Sequence, residues 1–244
     1  QGHPDGFGFL VPEDGGDDHF LSPREMHQGL HGARVVVRRS GPDRRGRPEG
    51  EIVEILDRGN REIVGRLFEE RGIFFIVAEN RRINQDFLVP PADTGGAKPG
   101  QVVVAAIVEQ PSANREAMAR VTEVLGSATD SGIEIEIALR KHQLPFEFSK
   151  EALRQAKRLP TEVRPTDRKD RVDLRAFPLV TIDGETAKDF DDAVWCERKG
   201  KNFRLIVAIA DVSHYVRDGD AIDIAARERG TSVYFPRRVI PMLP

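Results

Sequence analysis

Residues 5–11, DGFGFLV, and residues 17–23, DDHFLSP, place Phe7 and Phe9 on alternate positions between glycines and set Phe20 a short turn away. Period-two alternation sends both rings to one face of a strand, and a neighbouring strand through Phe20 adds a third ring beside them. Outward from this point, the same succession of segments occurs twice. In the first copy the two runs are followed by GARVVV (32–37) and EIVEIL (51–56). The second copy has RGIFFIV (71–77), QDFLVPP (85–91), GQVVVA (100–105) and RVTEVL (120–125). The period is about 68 residues. Each copy offers four or five short β-rich runs separated by Gly, Pro and Asp, the pattern of a small closed barrel of OB type.

Alternating phenylalanines in such a strand have two readings. They fill the barrel core, or they form a platform on which bases stack, at about 1–3 kcal/mol per base. Both readings stand for Phe7, Phe9 and Phe20, because the first copy carries about as many acids as bases. In IFFIV (73–77) two phenylalanines adjoin and the alternation fails, so the second copy is expected to serve as spacer more than reader.

The chain has 244 residues, enough for two or three compact units. Its formal net charge of −3 gives no global basic field, so a nucleic-acid partner has to be held locally. Cys196 stands alone, which excludes an internal disulfide and favours a reducing compartment, the cytoplasm by default. The apolar run LIVAIA (205–210) is far shorter than the roughly 20 residues that span a bilayer, so no membrane association and no signal peptide are expected. The chain opens without an initiator Met and stops at VIPMLP, and is therefore expected to be a piece of a longer protein, cut at both ends.

Between Ser127 and Arg175 the composition changes. Residues 140–175 hold eleven Lys or Arg against six Asp or Glu. Within them SKEALRQAKRL (149–159) predicts one short helix, with Ser149 at its start, Glu151 in the first turn, bases in the last and Pro160 as a stop. Arg154, Lys157 and Arg158 either contact phosphates or form a solvated face.

The acids of TIDGETAKDFDDAVW (181–195) fall on a loop between an expected strand, FPLVTI (177–182), and a second beginning at Asp192. Asp189 and Asp191 share one side of an extended chain, Asp192 takes the other, and Asp183 folds back across Gly184. Four converging carboxylates repel one another unless a cation holds them. Hard oxygen donors without nearby His or Cys favour Mg²⁺, one or two ions, with Mn²⁺ as the alternative. An EF-hand register from Asp189 fails, since Ala193 and Gly200 fall on ligand positions. A phosphatase-type D-x-D nucleophile, or a merely solvated acidic loop, remains open on residue types alone. Further on, NFRLIVAIADVSHYV (202–216) predicts a buried strand ending near Asp211, Ser213 and His214, which are expected to be structural.

DGFGFL with DHFLSP resembles the paired ribonucleoprotein motifs of cold-shock domains. Two such domains followed by VDLRAFPLVTIDGETAKDFDDAV (172–194) resemble the RNase II and RNase R family of bacterial exoribonucleases, closer to its RNase R branch, over essentially the whole chain. The resemblance implies a mainly β chain with an α+β part: two tandem OB-fold, cold-shock-like barrels followed by the N-terminal part of an α+β catalytic domain. The expected boundaries are 1–58 and 61–126 for the barrels, 127–170 for a basic connector and 171–244 for the catalytic part.

The pattern D-G-x-x-A-x-D-x-D-D carries the family's magnesium-binding catalytic roles to Asp183, Asp189, Asp191 and Asp192, with Asp191 the most critical. RGTSVYFP (229–236) is similar to the segment whose tyrosine stacks on the terminal nucleotide, which selects Tyr234; ordinary packing of that ring is the competing reading. Phe7, Phe9 and Phe20 become RNA-binding candidates. The implied activity is processive 3′ to 5′ hydrolysis of single-stranded or structured RNA with a free 3′ end, giving nucleoside 5′-monophosphates. The family's catalytic domain extends beyond the counterpart of Pro244, so this chain alone is expected to bind RNA weakly with little or no nuclease activity. The rivals are a non-catalytic RNA-binding module or chaperone, and a Mg²⁺-dependent phosphatase or endonuclease.

Overall fold

The computed structural model describes residues 1–42, 46–187 and 190–244. The chain divides into two compact units, Gln1–Leu144 and Pro145–Pro244.

In the first unit, β1 (Gly8–Leu10), β2 (His19–Leu21), β3 (Arg34–Pro42) and β4 (Pro48–Asp57) form a sheet in the order β1-β2-β4-β3, with the short helix α1 (Pro23–Met26) after β2. The strands β5 (Glu62–Glu70), β6 (Ile73–Ala78), β7 (Asp86–Val89), β8 (Gln101–Glu109) and β9 (Ala117–Ser127) close a barrel in the order β5-β6-β7-β9-β8. The repeat is visible in the registers. Phe9 pairs with Phe20 as Phe75 pairs with Leu88, and β2 meets β4 in parallel at Phe20 and Glu49 as β7 meets β9 at Leu88 and Met118. The OB-type closure occurs in the second copy. The first reproduces four of its five strands, and no described strand there corresponds to β5.

Side chains of alternating strand positions fill the barrel. Leu67, Ile76, Phe87, Val103, Ala105 and Ala119 are buried together, each large one contributing about 1.5–3 kcal/mol relative to exposure. The strands crowd at Gly65, where a Cβ would lie 2.4 Å from Ile76 Cγ2 and 2.5 Å from the Val77 carbonyl oxygen, so only glycine fits. The failure of alternation expected in IFFIV is corrected here. Phe74, Ile76 and Ala78 pack on the core while Ile73, Phe75 and Val77 face outward. The two adjoining phenylalanines simply occupy opposite faces of β6.

The helix α2 (Ile133–Lys141) packs on β9 and β5 through Ile133 and Leu139, and Arg140 Nη2 reaches Glu123 Oε1 at 2.6 Å. The two copies form one unit through Leu30, which is buried in the barrel's core cluster, and through polar contacts: Asn60 Nδ2 donates to the His31 carbonyl at 2.6 Å and Gln85 Nε2 to the Met26 carbonyl at 2.7 Å.

In the second unit, α3 (Lys150–Ala156) starts at Ser149, whose Oγ accepts the Ala152 N–H at 3.1 Å. The strands β10 (Asp192–Lys199) and β11 (Asn202–Ile209) form an antiparallel hairpin, followed by α4 (Ala221–Arg229) and the small hairpin β12 (Val233–Phe235) and β13 (Arg238–Ile240). The helices α3 and α4 share a core of Ala152, Ile222 and Ala225. Gln155 of α3 donates to Asp220 Oδ2 at 2.6 Å, beside the N-terminus of α4. The stretch 127–170 is thus divided between the units, α2 lying with the barrel and α3 with α4.

Two expectations are modified in this unit. FPLVTI is held by a single bridge, Val180 to Val194, with backbone bonds of 3.0 and 2.8 Å, rather than a full strand. The strand read as buried, β11, leaves Phe203, Leu205, Val207 and Ile209 between 51 % and 71 % exposed along one face. The other face is covered only in part, with Ile206 and Ala208 half-buried and Phe177 packed edge-on against Trp195 at 4.8 Å. A sheet with one face covered leaves alternate positions open whatever their hydrophobicity.

Candidate functional site

The rings of the first copy come together. Phe7 lies 5.7 Å from Phe9 and 5.6 Å from Phe20, Phe9 lies 6.1 Å from Phe20, and His3 stacks on Phe7 at 4.2 Å with planes 12° apart. All three phenylalanines are half-buried, neither sealed in a core nor fully solvated. The intervening Gly8 is buried against the opposite side, where a Cβ would lie 2.4 Å from Met26 Sδ. Alternation along the strand places Phe7 and Phe9 on the face opposite that contact.

The basic side of this ring cluster was hidden in the sequence by the balanced charge of the first copy. The β3–β4 hairpin carries Arg38, Arg39 and Arg47, and the Arg47 guanidinium sits 4.3 Å over the Phe20 ring. Arg39 Nε donates at 2.8 Å to Nε2 of His19, which is buried where the second copy has Phe87. In OB folds this strand face and this hairpin loop are where oligonucleotides bind. A local signal existed in the arginine run from 38 to 47. The equivalent face of the closed barrel has Phe68 and Phe75 stacked at 5.7 Å, but its rim is acidic: burial, then Glu116 and Glu70, push the Asp86 carboxyl above its ordinary range.

The acidic loop is pinned at both ends. The Val180–Val194 bridge holds its entry, and the Asp191 carbonyl accepts the Ala210 N–H at 2.6 Å at its exit, next to the Asp192–Ile209 pair. Counted along the antiparallel register of the bridge, residue 183 falls opposite residue 191. Asp183, Asp191 and Asp192 are exposed, and among the described residues none of them has a basic partner. Asp189 lies outside the described residues. Among the described residues no three His, Cys, Asp or Glu side chains form a ready metal cage, and the expected convergence of four carboxylates includes Asp189, which lies outside them. The donor chemistry still fits Mg²⁺, which takes few protein carboxylates and completes its shell with water and substrate oxygens.

Tyr234 projects from β12, paired with Val239 and 47 % exposed, so its ring is not sealed in a core. Arg154, Lys157 and Arg158 are exposed, Arg154 beside Glu151 at 3.2 Å.

Sequence reading missed a buried carboxylate. Asp167 accepts from the Arg164 N–H at 2.9 Å, from Arg164 Nε and Nη2 at 3.1 Å each, and lies 3.2 Å from His214 Nε2. The Arg164 guanidinium first, then its backbone N–H and His214, hold this carboxyl well below the usual carboxylate range. A carboxyl with a lower pKa folded than unfolded stabilises the fold above about pH 4 and loses that contribution as the pH falls further. Asp167→Asn is therefore expected to lower the melting temperature at pH 7, with the gap to the parent narrowing below about pH 4. A gap constant from pH 7 to pH 3 in calorimetry would contradict this.

Comparisons with known proteins match three successive segments of the chain. Residues 1–55 match the Ribonuclease B OB domain, 75–149 the Cold shock domain and 171–244 the RNB domain. Ribonuclease R of Acidithiobacillus ferrooxidans is 50 % identical over 244 residues, covering 99 % of this chain. The chain belongs to the RNase II and RNase R family. Another family member, Ribonuclease R of Escherichia coli K12, is 47 % identical over all of this chain. The chain spans 56 % of the first relative's length and 30 % of the second's. The family fold is shared with Mycoplasma genitalium RNase R, solved without ligand and in complex with ribose methylated single-stranded RNA. In each case the TM-score is 0.85, at 27 % identity, over 98 % of this chain and 38 % of the other. The acidic loop and Tyr234 fall in the RNB segment, and the Phe7–Phe9–Phe20 platform in the OB segment.

Proposed function

We propose that the chain is the RNA-holding front and the acidic half of the active site of a 3′ to 5′ exoribonuclease that releases nucleoside 5′-monophosphates processively. The observation that carries this reading is the D-G-x-x-A-x-D-x-D-D loop, pinned at both ends and without basic partners among the described residues, inside the segment that matches the RNB domain. Direction, processivity and product rest on family membership. The lone Cys196 supports the cytoplasm as the compartment. Among the described residues no helix is long and apolar enough to cross a membrane.

Asp183, Asp189, Asp191 and Asp192 would hold one or two Mg²⁺ ions, or Mn²⁺, which when bound offset phosphate charge and supply an activated water. The chain's own side chains do the rest. Phe7, Phe9 and Phe20 stack bases without reading their sequence, and the arginines of the β3–β4 hairpin neutralise phosphates in a salt-dependent way. Tyr234 would stack on the terminal base, fixing the last phosphodiester in register with the carboxylates. The substrate is RNA, single-stranded or structured, with a free 3′ end.

Chelation separates the two parts. In the full-length protein, EDTA is expected to stop mononucleotide release while RNA stays bound in a filter-binding assay, and cleavage that persists in EDTA would contradict the reading. The 244-residue chain by itself is expected to bind RNA weakly and release almost no mononucleotide. Rapid Mg²⁺-dependent release by this chain would show that the acidic half suffices.

A further inference from the structure

The turn after β11 touches the acidic loop directly. Ala210 gives its N–H to the Asp191 carbonyl, and the next residue, Asp211, opens the 3₁₀ turn Val212–His214. Both oxygens of the Asp211 carboxylate are engaged: Oδ2 accepts from Arg171 Nη2 at 2.5 Å and Oδ1 from Ser213 Oγ at 2.7 Å. These bonds, Ser213 first and then Arg171, hold the Asp211 carboxyl below its ordinary range. The same turn is gripped a second time through His214 and Asp167, whose side chain is 5 % exposed. Both grips come from residues 167–171, a segment that holds none of the proposed site residues.

The Arg171–Asp211 pair is poor at stabilising a fold. Its side chains are 44 % and 42 % exposed, and ion pairs in that setting contribute little to stability. What the pair does geometrically is tie the turn that Asp211 opens to the segment 167–171, fixing the backbone one residue from the Ala210 N–H that holds Asp191. We infer that Asp211, with Arg171 as its partner, is a positioning residue for Asp191: it sets the direction of the Ala210 amide, and through that bond the placement of the Asp191 backbone and its carboxylate. The inference rests on Asp191 being the critical carboxylate proposed above. Misplacement of a reacting group by a fraction of an ångström lowers rates without weakening substrate binding elsewhere.

The test uses the full-length protein with Arg171→Gln, Asp211→Asn, and the swap of Arg171→Asp with Asp211→Arg. Two readouts are taken, single-turnover RNA cleavage and hydrogen exchange of the peptide bearing Ala210. Each single change is expected to slow cleavage about tenfold and speed exchange at Ala210 by about the same factor. RNA affinity should stay within about twofold and the melting temperature within about 2 °C, and the swap should recover most of both losses. Unchanged exchange at Ala210 in both single variants overturns the inference whatever cleavage does. Faster exchange with unchanged cleavage also overturns it. Retained cleavage in Asp191→Asn would instead sink the assignment of Asp191, while the exchange readout would still decide whether Asp211 orders the Asp191 backbone.

Discussion

Asp191→Asn in the full-length protein is expected to lower RNA hydrolysis about 10³-fold while RNA affinity stays within about twofold. The size follows from what the substitution removes. An amide of the same shape keeps the Ala210 bond to the Asp191 carbonyl, because that bond uses backbone atoms. It deletes the negative charge that makes the side chain a ligand for a hard cation. Loss of several kcal/mol of transition-state stabilisation corresponds to three decades in rate. RNA affinity changes little because the rings and arginines of the first unit are expected to carry most of it. Asp192→Asn is expected to cost less if Asp191 is the most critical ligand. Quench-flow measurement of mononucleotide release, beside a filter-binding isotherm, separates the two quantities. Hydrolysis within tenfold of the parent would remove Asp191 from the site.

Phe9→Ala combined with Phe20→Ala gives the complementary result, a fall in RNA affinity of about 10² with cleavage at saturating RNA nearly unchanged. Each ring offers a stacking face worth about 1–3 kcal/mol per base, and the two sit 6.1 Å apart as neighbours on paired strands. Phe20 also carries the Arg47 guanidinium, so its loss weakens both stacking and the placement of a charge. Arg47→Gln alone is expected to reduce the slope of affinity against salt by about one counterion, a signature that a packing residue would not produce. If the double alanine variant binds RNA as tightly as the parent, the rings are packing residues and the platform is elsewhere.

The ring cluster was legible because its signal is local. Period two at Phe7 and Phe9, with Phe20 on the next strand, survives into the structure without help from distant residues. The same rule misled in IFFIV, where both faces of β6 need apolar side chains and Phe74 and Phe75 divide between them. Arg47 escaped because its bases were averaged against the acids of the first copy, whereas in space the hairpin sets it on one ring. The donor types of the acidic loop could be read, since hard oxygen ligands announce themselves by composition. Their arrangement could not, because it is set by Val180–Val194 and by Ala210, contacts that no spacing within the loop encodes. The same holds for Asp167 with His214 and Arg171 with Asp211, which lie 47 and 40 residues apart.

Charge in this chain is therefore segregated rather than balanced. Arginines gather beside rings in the first unit, where RNA bases and phosphates would be held without chemistry. Acids gather at one end of the β10–β11 hairpin in the second, where a cation would turn repulsion into substrate capture. An RNA-binding module needs only the first of these features. The second costs affinity unless it does chemistry, which is why the enzyme reading outweighs the chaperone reading.

The proposed activity has this acidic loop cut RNA one nucleotide at a time from the 3′ end. The full-length protein in Mg²⁺, given the same RNA labelled at either the 3′ or the 5′ end, tests it most directly. The 3′ label is expected to appear as mononucleotide from the first time point, while 5′ label persists in long RNA until the last steps. Early internal fragments, or mononucleotide released first from the 5′ label, would contradict it.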